Sequence, residues 1–402
     1  GLLCAPLDPK DMADKVLKLY NTKELGARLA IAARTRVEEN YDLDKMMKRT
    51  IAVYEEALKV TNILVIKMSA IGDVILSVPS LRAIRSKFTN ANLKVLVGVS
   101  GRQILDKCPY INDIIVCDFK GRDRGIRGLM SIARELEKNC CDIVIDLQNN
   151  RRSHILSLLC LAPLRYGYAN GKYSFLLNKR IKDDAPYLDP IEHQFRTLKL
   201  AGVKPEDKRL ELWSSESDEE KISSFLKDNW VKPGQSLVGI NVRASSRWLT
   251  KNWPVPYIAE LCDKLARESG VRVVLTGAKE DSGAADEVAR LAKSKPIVAA
   301  GKTDIMELAC LIRRFKAYLT PDSAPMHVAA AVGVPFVALF GPTDPARHIP
   351  PAKDYVVIYK DEDLNCVPCY SPNCLKKIKC MKRITVDEVF GVIKEFLSRG
   401  EG

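Results

Sequence analysis

TPDSAPMHVAAAVGVPFVALFGPTDP, residues 320–345, sets a polar turn directly before a small-residue helix and an apolar strand. Asp322 and Ser323 occupy the turn. Pro325 marks the helix start, because a proline's missing N–H costs nothing in a first turn. Pro335–Phe340 has the length of a buried strand, and Gly341–Pro345 is the loop that leaves it. The opening N–H groups of such a helix, with the Ser323 hydroxyl, suit a phosphate. His327 lies within the first turn and is expected to face the same anion. The stretch therefore reads as a nucleotide diphosphate site that needs no Walker lysine.

A second stretch, ILVIKMSAIGDVILSVPSLRAIR (residues 63–85), repeats the scheme: an apolar strand Ile63–Ile66, a small-residue loop Ser69–Gly72, then an amphipathic helix. Asp73 sits where loop meets helix. The pairing of K-x-S-x-x-G-D here with D-S-x-P-M-H and F-G-P-T-D-P later resembles the ADP-heptose:lipopolysaccharide heptosyltransferases, glycosyltransferase family 9. The resemblance covers roughly residues 61–400. It departs at Ala324, where the family pattern has glycine, so the backbone there is expected to approach a diphosphate less closely.

From residue 61 onward, short apolar strands alternate with amphipathic helices, which indicates parallel sheets covered on both faces. Strands are expected at Ile63–Ile66, Leu93–Val99, Ile114–Cys117 and Ile143–Leu147, with helices at Val74–Lys87, Ile126–Lys138 and His154–Cys160. The polar stretch Glu211–Asp218 reads as a linker. Strands then recur at Leu237–Asn241, Val271–Thr276, Ile297–Ala299, Ala317–Leu319 and Phe336–Phe340. The resemblance implies an α/β protein of GT-B architecture, two Rossmann-like domains facing across a cleft. Ligands of such sheets bind outside the carboxyl ends of the strands, where both motifs fall. The expected domains are a helical extension (1–60), an acceptor domain (61–215), a nucleotide-sugar domain (216–365), and a Cys-rich loop with a final helix (366–402).

Residues 1–60 lie outside this pattern. Asp8 with Pro9 opens a first helix, Asn21 with Thr22 a second, and Tyr41–Leu43 a third. The opening GLLCAPLDP resembles the last segment of family 4 retaining glycosyltransferases, which implies that this extension is the remnant of an upstream enzyme in a fusion, without catalysis of its own. Gly1 rather than Met at the start fits a processed product or a piece of a longer chain. A family-specific helical extension is the other reading.

Glycosyl transfer needs a base for the acceptor hydroxyl and stabilisation of the departing diphosphate. Asp73 is the expected base: a helix N-terminus favours the ionised carboxylate, which can then take a proton. By resemblance it acts in an inverting displacement at the heptose anomeric carbon. A plain helix cap is the simpler reading of the same residue. Gly72 beside it is expected to admit the acceptor close to the backbone. NVRASSRWLTKNWP, residues 241–254, resembles the family loop whose hydroxyls and lysine meet the donor, which points to Ser245, Ser246 and Lys251. Lys251 is expected to act in the chemistry, and Arg243 and Arg247 are further phosphate contacts. Asp322 is expected to orient its loop or bond the donor, Ser323 and Ala324 to hold the diphosphate, His327 to neutralise it, and Glu280 to meet the nucleoside unless it is surface charge. DLQNNRRSH, residues 146–154, resembles the family's acceptor segment and offers Gln148, Asn149, Arg151 and Arg152, paired guanidinium forks suited to an anionic sugar. Lys120, Arg122 and Arg124 extend that basic rim.

No metal or other cofactor is required by this scheme, and Asp361-Glu362-Asp363 is read as surface charge despite its D-x-D form. Cys366, Cys369, Cys374 and Cys380 form C-x2-C-x4-C-x5-C, a spacing open to structural zinc, to an iron–sulfur cluster, to free thiols or to disulfides. The remaining eight of the 12 cysteines are scattered, several in apolar strands or helices. With 63 basic and 50 acidic residues the net charge is +13. That favours anionic partners, with dispersed charge and no module that argues for nucleic acid. No apolar run reaches the ~18–20 residues of a membrane span, and no signal-like segment opens the chain. A cytoplasmic location is expected, with peripheral contact at the inner membrane. The expected partners are ADP-heptose and a lipid-linked anionic sugar acceptor. Two alternatives remain at this stage: the same fold using another nucleotide sugar in surface polysaccharide assembly, and a non-catalytic nucleotide-sugar-binding module.

Overall fold

The computed structural model describes residues 1–58, 60–184, 188–362 and 364–399. Two compact units divide the chain, residues 1–60 and 61–402.

The first unit is three helices, α1 (Pro9–Asn21), α2 (Lys23–Asn40) and α3 (Leu43–Leu58). Asp8 caps α1 by accepting the Lys10 and Asp11 N–H groups, and Pro9 takes the first helical position. α1 packs on α2, yet no residue from 1 to 54 is buried. Among its described residues the unit has helical order without a core.

The second unit carries two six-stranded parallel sheets. The first half runs β1 (Asn62–Ile66), α4 (Ile71–Ile75), α5 (Val78–Lys87), β2 (Asn92–Gly98), α6 (Val99–Leu105), β3 (Asp113–Cys117), α7 (Gly125–Glu137), β4 (Ile143–Asp146), α8 (Arg151–Leu159), β5 (Leu164–Tyr168), β6 (Lys179–Ile181) and α9 (Pro190–Leu200). The second runs α10 (Glu216–Asp228), β7 (Leu237–Asn241), α11 (Val255–Ser269), β8 (Arg272–Thr276), α12 (Ser282–Leu291), β9 (Ile297–Val298), α13 (Ile305–Ile312), β10 (Ala317–Pro321), α14 (Ala324–Val332), β11 (Phe336–Phe340), α15 (Pro345–His348), β12 (Tyr355–Tyr359), α16 (Lys379–Lys382) and α17 (Val386–Ser398).

The sheet orders are β3-β2-β1-β4-β5-β6 and β12-β11-β10-β7-β8-β9. Numbered within its own half, the second is the same order as the first, so each half is a doubly wound Rossmann sheet. The order reverses between β1 and β4, and again between β7 and β10. Those are the switch points where a crevice opens at the strand ends. Central strands such as Leu64–Ile66 and Phe336–Phe340 are buried on both faces, which is why they read as unbroken apolar runs. One apolar cluster continues through both halves, joined where α4 packs on α14 and α6 on α13.

Two expectations about elements need correction. The helix expected over Val74–Lys87 is two helices, broken at Leu76 and Ser77. Pro79 cannot donate to Ile75, so the chain restarts with Pro79 in the first turn of α5. Glu211–Asp218 is not all linker. The Ser215 hydroxyl and the Asp218 carboxylate form a reciprocal capping box, and the acidic residues that suggested a linker open α10.

Candidate active site

A cleft of about 1180 Å³ lies between the two sheets, lined from the first half by the loop after β1 and from the second by the loops after β7 and β10. Both switch points contribute, so topology alone brings the two sequence motifs face to face.

On the first wall, Asp73 sits in the first turn of α4. Its Oδ2 accepts the Ala70 N–H at 2.9 Å, so it does cap the helix, and the residue also lines the cleft. Lys67, at the end of β1, lies 3.6 Å from Asp73 Oδ1 and also donates to the Leu147 carbonyl at 3.2 Å. Lys67 is buried while 47% of the Asp73 side chain is exposed, which suits a fixed cation beside a carboxylate that must meet a substrate. The loop between them is braced from β4: Gln148 Oε1 accepts the Ser69 N–H at 2.9 Å.

On the second wall, the Lys251 ammonium reaches Asp322 Oδ2 at 2.6 Å and the Thr343 hydroxyl donates to the same oxygen at 2.7 Å. All three residues are buried. Burial alone would push the Asp322 carboxyl up. The adjacent Lys251 charge, its hydrogen bond and that of Thr343 more than offset this and hold it below the ordinary carboxylate range. The indole of Trp248 lies beneath the same ammonium, 4.9 Å from ring centre to Nζ. Ser323 is the cap position of α14 but makes no side-chain cap bond. Its hydroxyl donates to the Pro321 carbonyl and accepts from Asn241 Nδ2 at 3.1 Å. Ala324 is the first helical residue of α14, a position whose backbone does not require glycine.

Gly72 and His327 join the walls. A Cβ built on Gly72 would lie 2.5 Å from His327 Cδ2. Gly72 lines the cleft, but the residue its missing side chain makes room for is this imidazole. The charge expected of His327 is corrected: burial lowers its pKa to about 4, so the ring is neutral near pH 7. Among the described residues its Nδ1 is buried without a hydrogen-bond partner.

The remaining expected site residues separate into two groups. Ser245 and Arg243 line the cleft; Ser246 and Arg247 do not. Glu280 also stays outside, and its neighbour Asp281 lines the wall instead. Its carboxylate accepts the Ala278 N–H at 2.9 Å, and burial raises its pKa.

The proposed acceptor segment turns mostly inward. Gln148, Asn149, Arg151 and Arg152 are not in the cleft wall, whereas Lys120 is. Asp146 is fully buried and accepts the Gln148 and Asn149 N–H groups and the Ser153 hydroxyl. His154 lies against it at 3.6 Å. The D-x-Q-x-x-x-R-S pattern here is therefore an internal turn and helix cap. Asn149, at φ +52°, donates to Asn170, and the Arg152 guanidinium stacks on Phe119 at 4.2 Å. This part of the first half's wall comes instead from α9: His193 lines it, stacked 3.9 Å from Tyr168 with Nε2 3.4 Å from Asp183. Burial lowers the His193 pKa.

The cysteine segment has a structural place. A Cβ on Gly341 would lie 2.6 Å from Met381 Sδ and 3.0 Å from Cys380 Sγ. The Tyr370 N–H donates to Pro342, Thr250 donates to Ser371, and the Trp253 indole donates to Ile384. Residues 370–384 thus brace the loops that carry Lys251 and Thr343. Cys380 is buried, while Cys369 and Cys374 are exposed and Cys366 is intermediate. Among the described residues no three His, Cys, Asp or Glu side chains come together as a ligand set, so the tetrad as placed does not fit structural zinc, one of the four readings its spacing left open. Asp361 and Glu362 are exposed; Asp363 lies outside the described residues.

Lys67, Asn241, Thr343, His193 and Asp281 were not singled out from sequence. Lys67 and Thr343 stand inside the quoted motifs, and Asn241 is a polar residue closing an apolar strand. His193 and Asp281 carried no signal.

Two Rossmann sheets meeting at their switch points across a cleft define the GT-B architecture. Residues 129–379 match the model of glycosyltransferase family 9 (heptosyltransferase), and the chain belongs to that family. It is 25% identical over 333 residues to the lipopolysaccharide core heptosyltransferase OpsX of Haemophilus influenzae, covering 81% of this chain and 88% of that one. The family 9 glycosyl transferase of Veillonella parvula superposes with a TM-score of 0.75 at 27% identity, over 84% of this chain and 97% of that one. The Escherichia coli ADP-heptose lps heptosyltransferase II shares the fold with a TM-score of 0.69 at 24% identity, over 85% of this chain and 100% of that one. Among the described residues no helix is long and apolar enough to cross a membrane.

Proposed function

We propose that this enzyme transfers heptose from ADP-heptose to a lipopolysaccharide core acceptor at the cytoplasmic face of the inner membrane, with inversion and with Asp73 as the base. The observation that carries the reading is the opposition of Asp73, beside Lys67, to the Lys251–Asp322–Thr343 cluster and the start of α14 across one cleft. The names of its relatives support the choice of sugar and acceptor.

In this reading the acceptor hydroxyl enters above α4 and gives its proton to Asp73 as its oxygen attacks the anomeric carbon. The bond from that carbon to the phosphate oxygen breaks in the same step, which inverts the centre. The departing ADP carries the electron pair toward the start of α14 and Lys251. Fixed donors there act without reorganising at the moment of reaction. Neutral His327 packs α14 against α4 and sets the distance between base and leaving group. These steps require no metal. The segment 370–384 braces the donor loops in this scheme, and the clustered cysteines take no part in the chemistry.

Isothermal titration with ADP, UDP, GDP and CMP tests the donor, followed by transfer from ADP-heptose to a delipidated core oligosaccharide read by mass spectrometry. Selective ADP binding and a mass gain of one heptose are expected. Preference for another nucleotide would overturn the donor, and binding without transfer would favour a binding module.

A further inference from the structure

Several arginines left outside the cleft lie on two packed segments, one of which also carries an exposed isoleucine. The loop after β3 carries Lys120, Arg122 and Arg124, and α7 opens with Ile126 and Arg127. α8 opens with Arg151 and Arg152, and the stacking of Arg152 on Phe119 ties the two segments together. Ile126 is 80% exposed, and Met130, one helical turn on, is exposed beside it. The two acids of the loop face inward. Asp118 accepts the Gly121 and Arg122 N–H groups, and buried Asp123 accepts the Asp118 N–H and pairs with the Arg122 side chain. Of the basic side chains named, only Arg122 is in an ion pair among the described residues.

We propose that this patch docks the enzyme on an anionic membrane surface. Unpaired cations around protruding apolar side chains match what an interfacial surface needs: charge for the headgroups, and an apolar group to enter the acyl boundary. Phosphates alone, whether of a soluble sugar or of a nucleic acid, give no reward for an isoleucine exposed this far. The same loop forms part of the cleft wall at Lys120, so docking here sets the cleft mouth beside the lipid surface. The biological sense of the patch rests on the reading that the acceptor is lipid-anchored.

Flotation with phosphatidylglycerol-containing vesicles and with phosphatidylcholine vesicles, at ~0.1 M salt where screening is moderate, tests the proposal. The protein is expected to float with the anionic vesicles and not with the neutral ones. Each cation near an anionic surface contributes roughly fivefold in partition, so Arg124→Gln/Arg127→Gln should lower it by more than tenfold. Ile126→Ser should lower it several-fold, and Arg290→Gln/Lys293→Gln, on and just beyond α12, should leave it unchanged. Equal partition to both lipids, partition to neither, or patch variants that float like the original chain would overturn the proposal. So would variants weakened on duplex DNA but not on vesicles. A protein that floats through this patch but transfers nothing to a delipidated acceptor would keep the patch and lose the proposed function. One that transfers but does not float would do the reverse.

Discussion

In the second sheet, Lys251, Asp322 and Thr343 are buried and bonded to one another, the lysine within 2.6 Å of its carboxylate. In the first sheet, the corresponding pair is looser: Asp73 is half exposed, with Lys67 at 3.6 Å. The two halves share one topology, so the difference lies in the loops. It follows the two tasks assigned to the walls. A wall that stabilises a leaving group gains from donors fixed before the reaction. A wall that deprotonates an incoming hydroxyl must leave its base reachable.

Removing the proposed base tests this contrast most severely. Asp73→Asn keeps an oxygen to accept the Ala70 N–H but cannot take a proton. Turnover is expected to fall on the order of 10³-fold, within the usual range for a general base. ADP affinity by calorimetry should stay within about twofold. A variant within tenfold of the original rate would leave Asp73 as a cap and nothing more.

The buried pair on the other wall should respond in stability as well as in function. Lys251→Met leaves the Asp322 carboxylate buried without its cation, a loss of about 3–5 kcal/mol, read from the urea midpoint. Adding Asp322→Asn should recover part of that stability, because neighbouring groups are not additive, while ADP affinity stays low. A single-variant loss under about 1 kcal/mol would mean that the ion pair is not what holds the wall.

Much of this was legible in the sequence because parallel strands buried on both faces print as apolar runs, as at Leu237–Asn241 and Phe336–Phe340. The motif loops were legible because switch-point loops follow those runs directly. What was not legible depended on where a side chain turns after the backbone is placed. Arg151 and Arg152 follow a strand end as Ser69 does, yet Asp146 draws its loop inward and the arginines face away from the cleft. Glu280 and Asp281 are adjacent, and only the second reaches the wall. His327 sat in the right motif, but its neutrality follows from packing against Gly72, which no local pattern contains.

That imidazole gives a pH prediction. Its pKa is about 4 in the fold, against 6.5 ordinarily. As pH falls below about 6.5 the unfolded chain binds a proton that the native ring refuses, so stability drops until about pH 4. Between pH 7 and pH 5 the loss should be about 2 kcal/mol. His327→Gln should flatten that slope in urea unfolding, leaving a smaller residue from His193, whose pKa is also lowered. An unchanged slope would mean that the ring is not held neutral by burial.

The smallest expected effect is also the sharpest probe of the looser wall. Lys67 touches no substrate atom in the proposed reaction and acts through Asp73, as a positioning residue. Lys67→Met keeps most of the buried stem and removes the charge. It should lower kcat by about tenfold, on the order of 1.4 kcal/mol, with ADP affinity unchanged. A merely structural lysine could produce the same fall, so the deciding measurement is the pair. If Lys67 works by holding the base, its loss should add nothing in the Asp73→Asn background, since residues that act as a unit are not additive. An equal tenfold loss in both backgrounds would separate the two residues and leave Lys67 bracing the loop through the Leu147 carbonyl. The first wall would then resemble the second, held by its packing rather than by its charge.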